Sequence, residues 1–323
     1  MKRKIIIDCD PGIDDSLALI YAIQHPDLEV VALTIVAGNV PVDLGVENAF
    51  KILERLNRLN IPVYAGADKP LVRDFVSAQD THGMDGLGES RINRTSNCQP
   101  QPQKASEFLA TYFQKAQDTS LITLGPLTNL ALAIKQNPQI GKHIKRFVSM
   151  GGSYKSHGNC SPVAEYNYWC DPHAAQFVYQ KLDRKIEMVG LDVTRAIVLT
   201  PNLLEYMRFL QPEVAEFVGR ITRFYWDFHW EYEHIIGCVI NDPLAIAHFL
   251  HEDLCMGFDS YVEVVTEGIA LGQTVVDAYD FYHKPANAYI ATQVSPSLFF
   301  QDFLAILLNQ PKETIARDLS SLL

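Results

Sequence analysis

Short apolar runs rich in β-branched residues recur along this 323-residue chain, separated by amphipathic stretches of helical length. The runs are Lys4–Cys9, Val30–Val36, Ser120–Leu124, Arg146–Met150 and Glu187–Leu191, with later ones at Tyr261–Thr266 and Thr274–Tyr279. Between them lie helical segments such as Ser16–His25, Leu44–Leu59, Ala105–Ala116 and Thr128–Lys135. A strand covered on both faces has no polar alternation, and strands that alternate with helices build a mostly parallel sheet. The pattern predicts an α/β fold, a Rossmann-like open sheet with helices on both faces. No Gly/Ser-rich linker or repeat divides the chain, so one large domain over residues 1–323 is expected. The stretch Gln79–Gln103, with Gly83, Gly86 and Gly88, is the least regular and is expected to be a surface loop.

The residues that end these strands are polar or glycine. The first run leads into Asp8-Cys9-Asp10-Pro11-Gly12-Ile13-Asp14-Asp15, the second into Gly38-Asn39, the third into Gly125-Pro126, the fourth into Gly151-Gly152 and the fifth into Asp192. The carboxyl ends of parallel strands lie along one edge, where open α/β sheets bind ligands. Any one of these ends alone is an ordinary turn; together they converge on a crevice.

The acidic cluster is the sharpest feature. Strand alternation puts Asp8 and Asp10 on one face, opposite Cys9, and Asp14 and Asp15 then open a helix. Carboxylates favour helix N-termini through the macrodipole and the free N–H groups, which accounts for Asp14 or Asp15 but not for Asp10. Clustered like charges destabilise one another unless a cation or a proton intervenes. Oxygen donors without His or Cys suit a hard cation, Ca²⁺ or Mg²⁺. Asp171-Pro172 reads as a helix cap, whereas Asp242-Pro243 is undecided by spacing. Strand-end Asp-x-Asp also opens the aspartate-nucleophile phosphatases, a Mg²⁺-dependent phosphohydrolase chemistry that would use Asp8 and Asp10. Its later Lys and Gly-Asp-x-x-x-Asp cluster have no counterpart after residue 150.

Composition narrows the partners. Lys+Arg 27 against Asp+Glu 38 gives a net charge of −11, which argues against nucleic acid and against a polybasic membrane binder. Met-Lys-Arg-Lys is followed by three apolar residues before Asp8, too few for a signal peptide. The 6 cysteines are scattered without a C-x-x-C pair. Small buried thiols in a reducing, cytoplasmic compartment are expected.

The opening segment Asp8–Asp15 closely resembles the signature of the inosine–uridine-type nucleoside hydrolases. The resemblance continues, in order, through Val36-Ala37-Gly38-Asn39, His82-Gly83, Leu124-Gly125-Pro126-Leu127-Thr128-Asn129, Met150-Gly151-Gly152, Gly158-Asn159, Ala164-Glu165-Tyr166-Asn167, Asp242-Pro243 and Gly272–Asp277. It covers essentially the whole chain. It implies a ribonucleoside substrate cleaved at the N-glycosidic bond to free base and ribose, in nucleoside salvage. It implies one Ca²⁺ per chain, held by Asp10, Asp15, the Leu124 carbonyl and Asp242, together with a water and the 2′- and 3′-hydroxyls. Asp10 would be the general base on that water and Asp14 the partner of the 2′-hydroxyl. Asn39, Met150, Asn159, Glu165 and Asn167 would complete the ribose pocket. His82, Tyr225, Trp226, His229, Trp230 and His234 would close over the base, and a homodimer or homotetramer is implied.

Each residue also has a plainer reading. Asn39 suits a left-handed turn, Met150 suits the core, Glu165 and Asn167 suit a solvated loop, and the aromatics suit a core-facing helix. The chain departs from the family at Asn241, where a histidine commonly helps protonate the departing base. An amide donates a hydrogen bond but is no general acid near neutral pH. Base preference therefore stays open, as does a catalytically weak nucleoside- or sugar-binding relative.

Overall fold

The computed structural model describes residues 2–320. Among the described residues twelve strands occur in chain order: β1 Arg3–Cys9, β2 Leu28–Ile35, β3 Val63–Ala65, β4 Thr119–Thr123, β5 Phe147–Met150, β6 Ile186–Val189, β7 Val198–Leu199, β8 Cys238–Val239, β9 Cys255–Ser260, β10 Val262–Val264, β11 Thr274–Val276 and β12 Ala288–Val294. Eight of them form one sheet in the order β3-β2-β1-β4-β5-β6-β12-β9. All its pairings are parallel except β12 with β9 at the edge. β1 is central, and Ile5, Ile6 and Ile7 are fully buried there. Ile5, Ile7 and Cys9 face one core and Ile6 the other, the period-2 alternation of a strand covered on both sides.

The chain winds outward from β1 through β2 to β3, then returns to the other side of β1 and continues through β4, β5 and β6. The winding reverses between β1 and β4, and a crevice opens beyond the carboxyl ends of two such strands. Asp10 follows β1 and Leu124 follows β4, so both stand at that crevice; the Leu124 N–H donates to Asp8 O at 2.7 Å.

Several boundaries differ from the sequence pattern. The first helix begins at Ile13 rather than Ser16, because the Asp15 carboxylate accepts the Gly12 N–H at 3.0 Å and closes the first turn. The later runs shrink to β10 and β11, a separate antiparallel hairpin. The sheet's far side is completed instead by β12 and β9, whose sequences alternate too little to stand out. The stretch Gln79–Gln103 is irregular as expected but not merely superficial. Leu87 is fully buried, Asn48 Nδ2 donates to Asp85 O at 3.0 Å, and Arg220 Nη2 donates to Ser90 O at 2.5 Å. Asp171 caps the helix Pro172–Lys181, accepting the Ala174 N–H at 3.0 Å. No helix among the described residues is long and apolar enough to cross a membrane.

Under the sheet, Arg146 forks onto Glu187 with two contacts of 2.6 Å, and His248 Nε2 lies 2.9 Å from Glu187 Oε2. Burial alone would raise this carboxyl, but the guanidinium fork and His248 more than offset it and hold it at about 2, below the usual 4.5. A depressed carboxylate adds stability that is complete above about pH 4.5 and is lost as pH falls toward 2. Glu187→Gln is expected to be less stable than the parent by on the order of 2–3 kcal/mol at pH 7, a gap that narrows by pH 3. Urea unfolding at the two pH values checks it, and a gap independent of pH contradicts it.

Candidate active site

The turn after β1 collects four buried carboxylates, those of Asp10, Asp14, Asp15 and Asp242. Asp10 stands at the strand end, Asp14 and Asp15 in the first turn of the helix Ile13–Gln24, and Asp242 at the start of the helix Asp242–Leu250. Both helix starts supply the positive end of a macrodipole, which tolerates carboxylates in the first turn. Oxygens of Asp14, Asp15 and Asp242 lie within 4.8 Å of one another. Asp10 Oδ2 accepts the Asn39 N–H at 2.6 Å, whereas its Oδ1 is buried without a partner. Asp15 accepts the Asp10 N–H at 3.2 Å and the Asn39 amide at 2.9 Å.

Electrostatics mark the same cluster. Burial, then the Asp15 charge, pushes Asp10 well above the carboxylate range. Burial, then the neighbouring aspartates, does the same to Asp242, and Asp15 is pushed up to about 6 by burial and Asp14. Proteins relieve such crowding with a proton or a cation. The orphaned Asp10 oxygen, the convergent aspartates and the absence of any nitrogen or sulfur donor among them fit a hard cation. Space is reserved for the Asp10 carboxylate itself. A Cβ on Gly38 would come within 1.9 Å of Asp10 Oδ2, and one on Gly125 within 2.4 Å of Oδ1.

A cleft with about 710 Å³ of empty space, its open mouth included, lies above this floor. Asp14, Asn39, Leu124, Met150, Asn159, Glu165, Asn167 and Asp242 all line it. Glu165 is held by the N–H groups of Gly152, Asn167 and Tyr168 at 2.9, 2.8 and 3.2 Å, and burial still pushes it up to about 7. It is thus a buried, oriented carboxyl and not a solvated loop residue. Asn167 Nδ2 donates to Leu124 O at 2.7 Å and lies 3.4 Å from Met150 Sδ. Asn159 is at the exposed rim, its Oδ1 accepting the Tyr166 N–H at 2.9 Å.

Asn241 is turned toward the floor. Its backbone N–H and its Nδ2 both donate to Asp14 Oδ2, each at 3.1 Å. Tyr225, His229 and His82 line the cleft, but the structure leaves Trp226, Trp230 and His234 out of the wall. Tyr225 and His229 share the buried stripe of the helix Pro212–Glu233, on which Trp230 points to solvent and His234 caps the exposed end. Trp226 packs against the core instead.

Hydrogen bonds fix the states of two histidines. A backbone N–H can only donate, so the 3.1 Å contact from Ile13 N to His82 Nδ1 makes that nitrogen an acceptor. His82 is therefore neutral, its proton on Nε2, and burial lowers its pKa in agreement. His229 donates Nδ1–H to Tyr225 O at 2.8 Å and accepts the Val239 N–H at 3.4 Å on Nε2, so both nitrogens are engaged.

Tyr166, inside the Ala164–Asn167 motif, sets its one hydroxyl proton between Gly38 O at 2.7 Å and Val76 O at 2.8 Å. Arg195 and Glu233, lining residues that carry no motif, form an ion pair on the wall. Asp8 is spent on the core side of the site: its Oδ2 accepts from Thr34 at 2.5 Å and from Asn129 at 2.9 Å.

The inosine-uridine preferring nucleoside hydrolase family model matches residues 5–301. The chain belongs to that family. The hydrolase is 40% identical over 296 residues to the pyrimidine-specific ribonucleoside hydrolase RihA of Shewanella oneidensis, covering 90% of this chain and 91% of that one. It is 33% identical over 300 residues to the pyrimidine-specific ribonucleoside hydrolase RihB of Shigella flexneri, covering 93% and 95%. Its fold matches the purine-preferring ribonucleoside hydrolase from Gardnerella vaginalis with a TM-score of 0.89 at 30% identity, over 98% of this chain and 99% of that one. The chain is a ribonucleoside hydrolase, an enzyme acting on N-glycosyl compounds.

Proposed function

We propose that this hydrolase cleaves ribonucleosides to free base and ribose around one Ca²⁺ held by Asp10, Asp15, the Leu124 carbonyl and Asp242, with Asp10 as general base. The observation that carries the reading is the buried, partnerless Asp10 Oδ1 beside Asp15, which itself converges with Asp14 and Asp242. The cation, when bound, polarises a water and seats the sugar hydroxyls. Asp10 takes the water's proton at Oδ1, while the Asn39 N–H on Oδ2 fixes the carboxylate plane. Asp14, gripped twice by Asn241, accepts the 2′-hydroxyl, and Glu165 and Asn167 accept the remaining sugar hydroxyls with Asn159 at the rim. The same carboxylates stabilise the positive charge that develops on the sugar as the glycosidic bond breaks.

Asn241 positions Asp14 in this reading and does not protonate the base. His82 offers the departing base a neutral Nε2–H, a hydrogen bond that stabilises the charge gathering on a leaving pyrimidine or purine. Two relatives named pyrimidine-specific support uridine and cytidine as the first substrates. Buried thiols at Cys9, Cys170, Cys238 and Cys255 support a cytoplasmic setting, and the family resemblance supports a homodimer or homotetramer.

Elemental analysis of active protein tests the metal assignment. About one calcium per chain is expected, lost in Asp10→Ala. Active protein without divalent metal, or with zinc at full occupancy, overturns it.

A further inference from the structure

The short helix Leu191–Thr194 after β6 ends at Arg195. Arg195 Nη1 donates to Glu233 Oε2 at 2.8 Å and Nη2 to Gly158 O at 3.1 Å. The guanidinium thus joins the two walls of the cleft, the loop that carries Asn159 and the end of the helix Pro212–Glu233. Glu233 follows Tyr225 and His229 at four-residue spacing, so the three share the helix face that closes the cleft. The pair is held but not sealed, with side chains 19% and 18% exposed.

The pairing leaves hydrogen-bonding capacity on the wall. Arg195 Nε–H is buried with no partner, a state that native proteins seldom leave unanswered. Glu233 meets Arg195 through one oxygen only. Other polar groups at this end are spent elsewhere: His229 engages both ring nitrogens, and Asn241 turns its amide to Asp14. A guanidinium beside a carboxylate sets donors next to an acceptor. That arrangement complements a nucleobase edge, where a carbonyl oxygen or ring nitrogen adjoins an N–H, and finds no such edge on a plain aryl group.

We infer that the Arg195–Glu233 pair is the specificity-determining element that reads the hydrogen-bonding edge of the nucleobase. The inference rests on the ribonucleoside reading above, which places the sugar on the acidic floor. Because an interaction with the base edge is already made in the ground state, losing it raises KM more than it lowers kcat.

Steady-state kinetics on uridine and p-nitrophenyl riboside, for the parent, Glu233→Gln and Arg195→Met, test it. KM for uridine is expected to rise at least about tenfold in both variants, with kcat/KM for the aryl riboside within about twofold of the parent. The exchange Arg195→Glu with Glu233→Arg separates reading from latching. It is expected to restore the parental melting temperature while KM for uridine stays raised. Equal losses on both substrates would make the pair a structural latch and overturn the inference, as would unchanged kinetics on both. An effect seen with uridine but absent with 5′-deoxyuridine would place Arg195 at the sugar's 5′ end and also overturn it. A parent enzyme that cleaves neither riboside fails the hydrolase reading itself; a parent that cleaves both, with indifferent variants, fails only the pair.

Discussion

Asp10→Asn is expected to lower kcat/KM for uridine by about 10³-fold or more while the protein stays folded, since a positioned general base alone is typically worth about 10²–10⁴-fold. The substitution keeps the shape of the side chain, and its amide oxygen can still accept the Asn39 N–H that now meets Oδ2. It removes the buried, partnerless Oδ1 as a proton acceptor. It also removes a negative charge that burial, Asp15 and Asp14 all disfavour, so the melting temperature of the metal-free protein is expected to hold or rise. Activity loss together with unchanged or increased stability separates a chemical role from a structural one. Kinetics within tenfold of the parent would exclude Asp10 as the base.

The second large effect is expected at His82. His82→Ala should cut kcat/KM for uridine by about 10–10²-fold, in line with one hydrogen bond to developing charge, and leave p-nitrophenyl riboside within about twofold. An aryl leaving group departs without help, so it reports the sugar chemistry alone. His229→Ala and His234→Ala serve as contrasts. The first loses a helix-bound ring with no free nitrogen, and the second changes an exposed cap outside the cleft. If His82→Ala cleaves uridine at the parental rate, leaving-group assistance comes from elsewhere, and a base that departs unaided becomes the better substrate.

What could be read from the chain alone follows the reach of local patterns. The acidic cluster is legible because Asp8, Asp10, Asp14 and Asp15 lie in one strand–turn–helix segment, where spacing dictates geometry. Even so, Asp8 and Asp10 on one strand face part company in the structure. Asp8 is captured by Thr34 and Asn129, whereas Asp10 meets the Asn39 N–H and packs against Gly38 and Gly125 at the neighbouring strand ends. The aromatic segment near residues 225–234 shows the opposite case. Its residues offer two helical phases four apart, and packing selects the one containing Tyr225 and His229. The buried stripe Val218, Ile221, Thr222 could have fixed that phase in advance. Arg195 and Glu233 left no signal, because an ion pair spanning 38 residues of sequence has no motif. The edge strand β9 and its neighbour β12 escape the local pattern for a related reason, as sheet membership depends on partners that a local run does not name.

Release of reducing sugar from a panel of ribonucleosides, measured beside release of phosphate from their 5′-monophosphates, tests the central claim most directly. The cleft is lined by Asp14, Glu165 and Asp242, with the carboxylates of Asp10 and Asp15 fully buried beside them, and the guanidinium on its wall, Arg195, is already paired with Glu233. A phosphate would therefore meet carboxylates without a free cation to offset them. The account predicts ribose and free base from at least one ribonucleoside, little sugar from the corresponding monophosphate, and no phosphate from any nucleotide. Phosphate release without sugar release, or comparable kcat/KM for a nucleoside and its monophosphate, would contradict it.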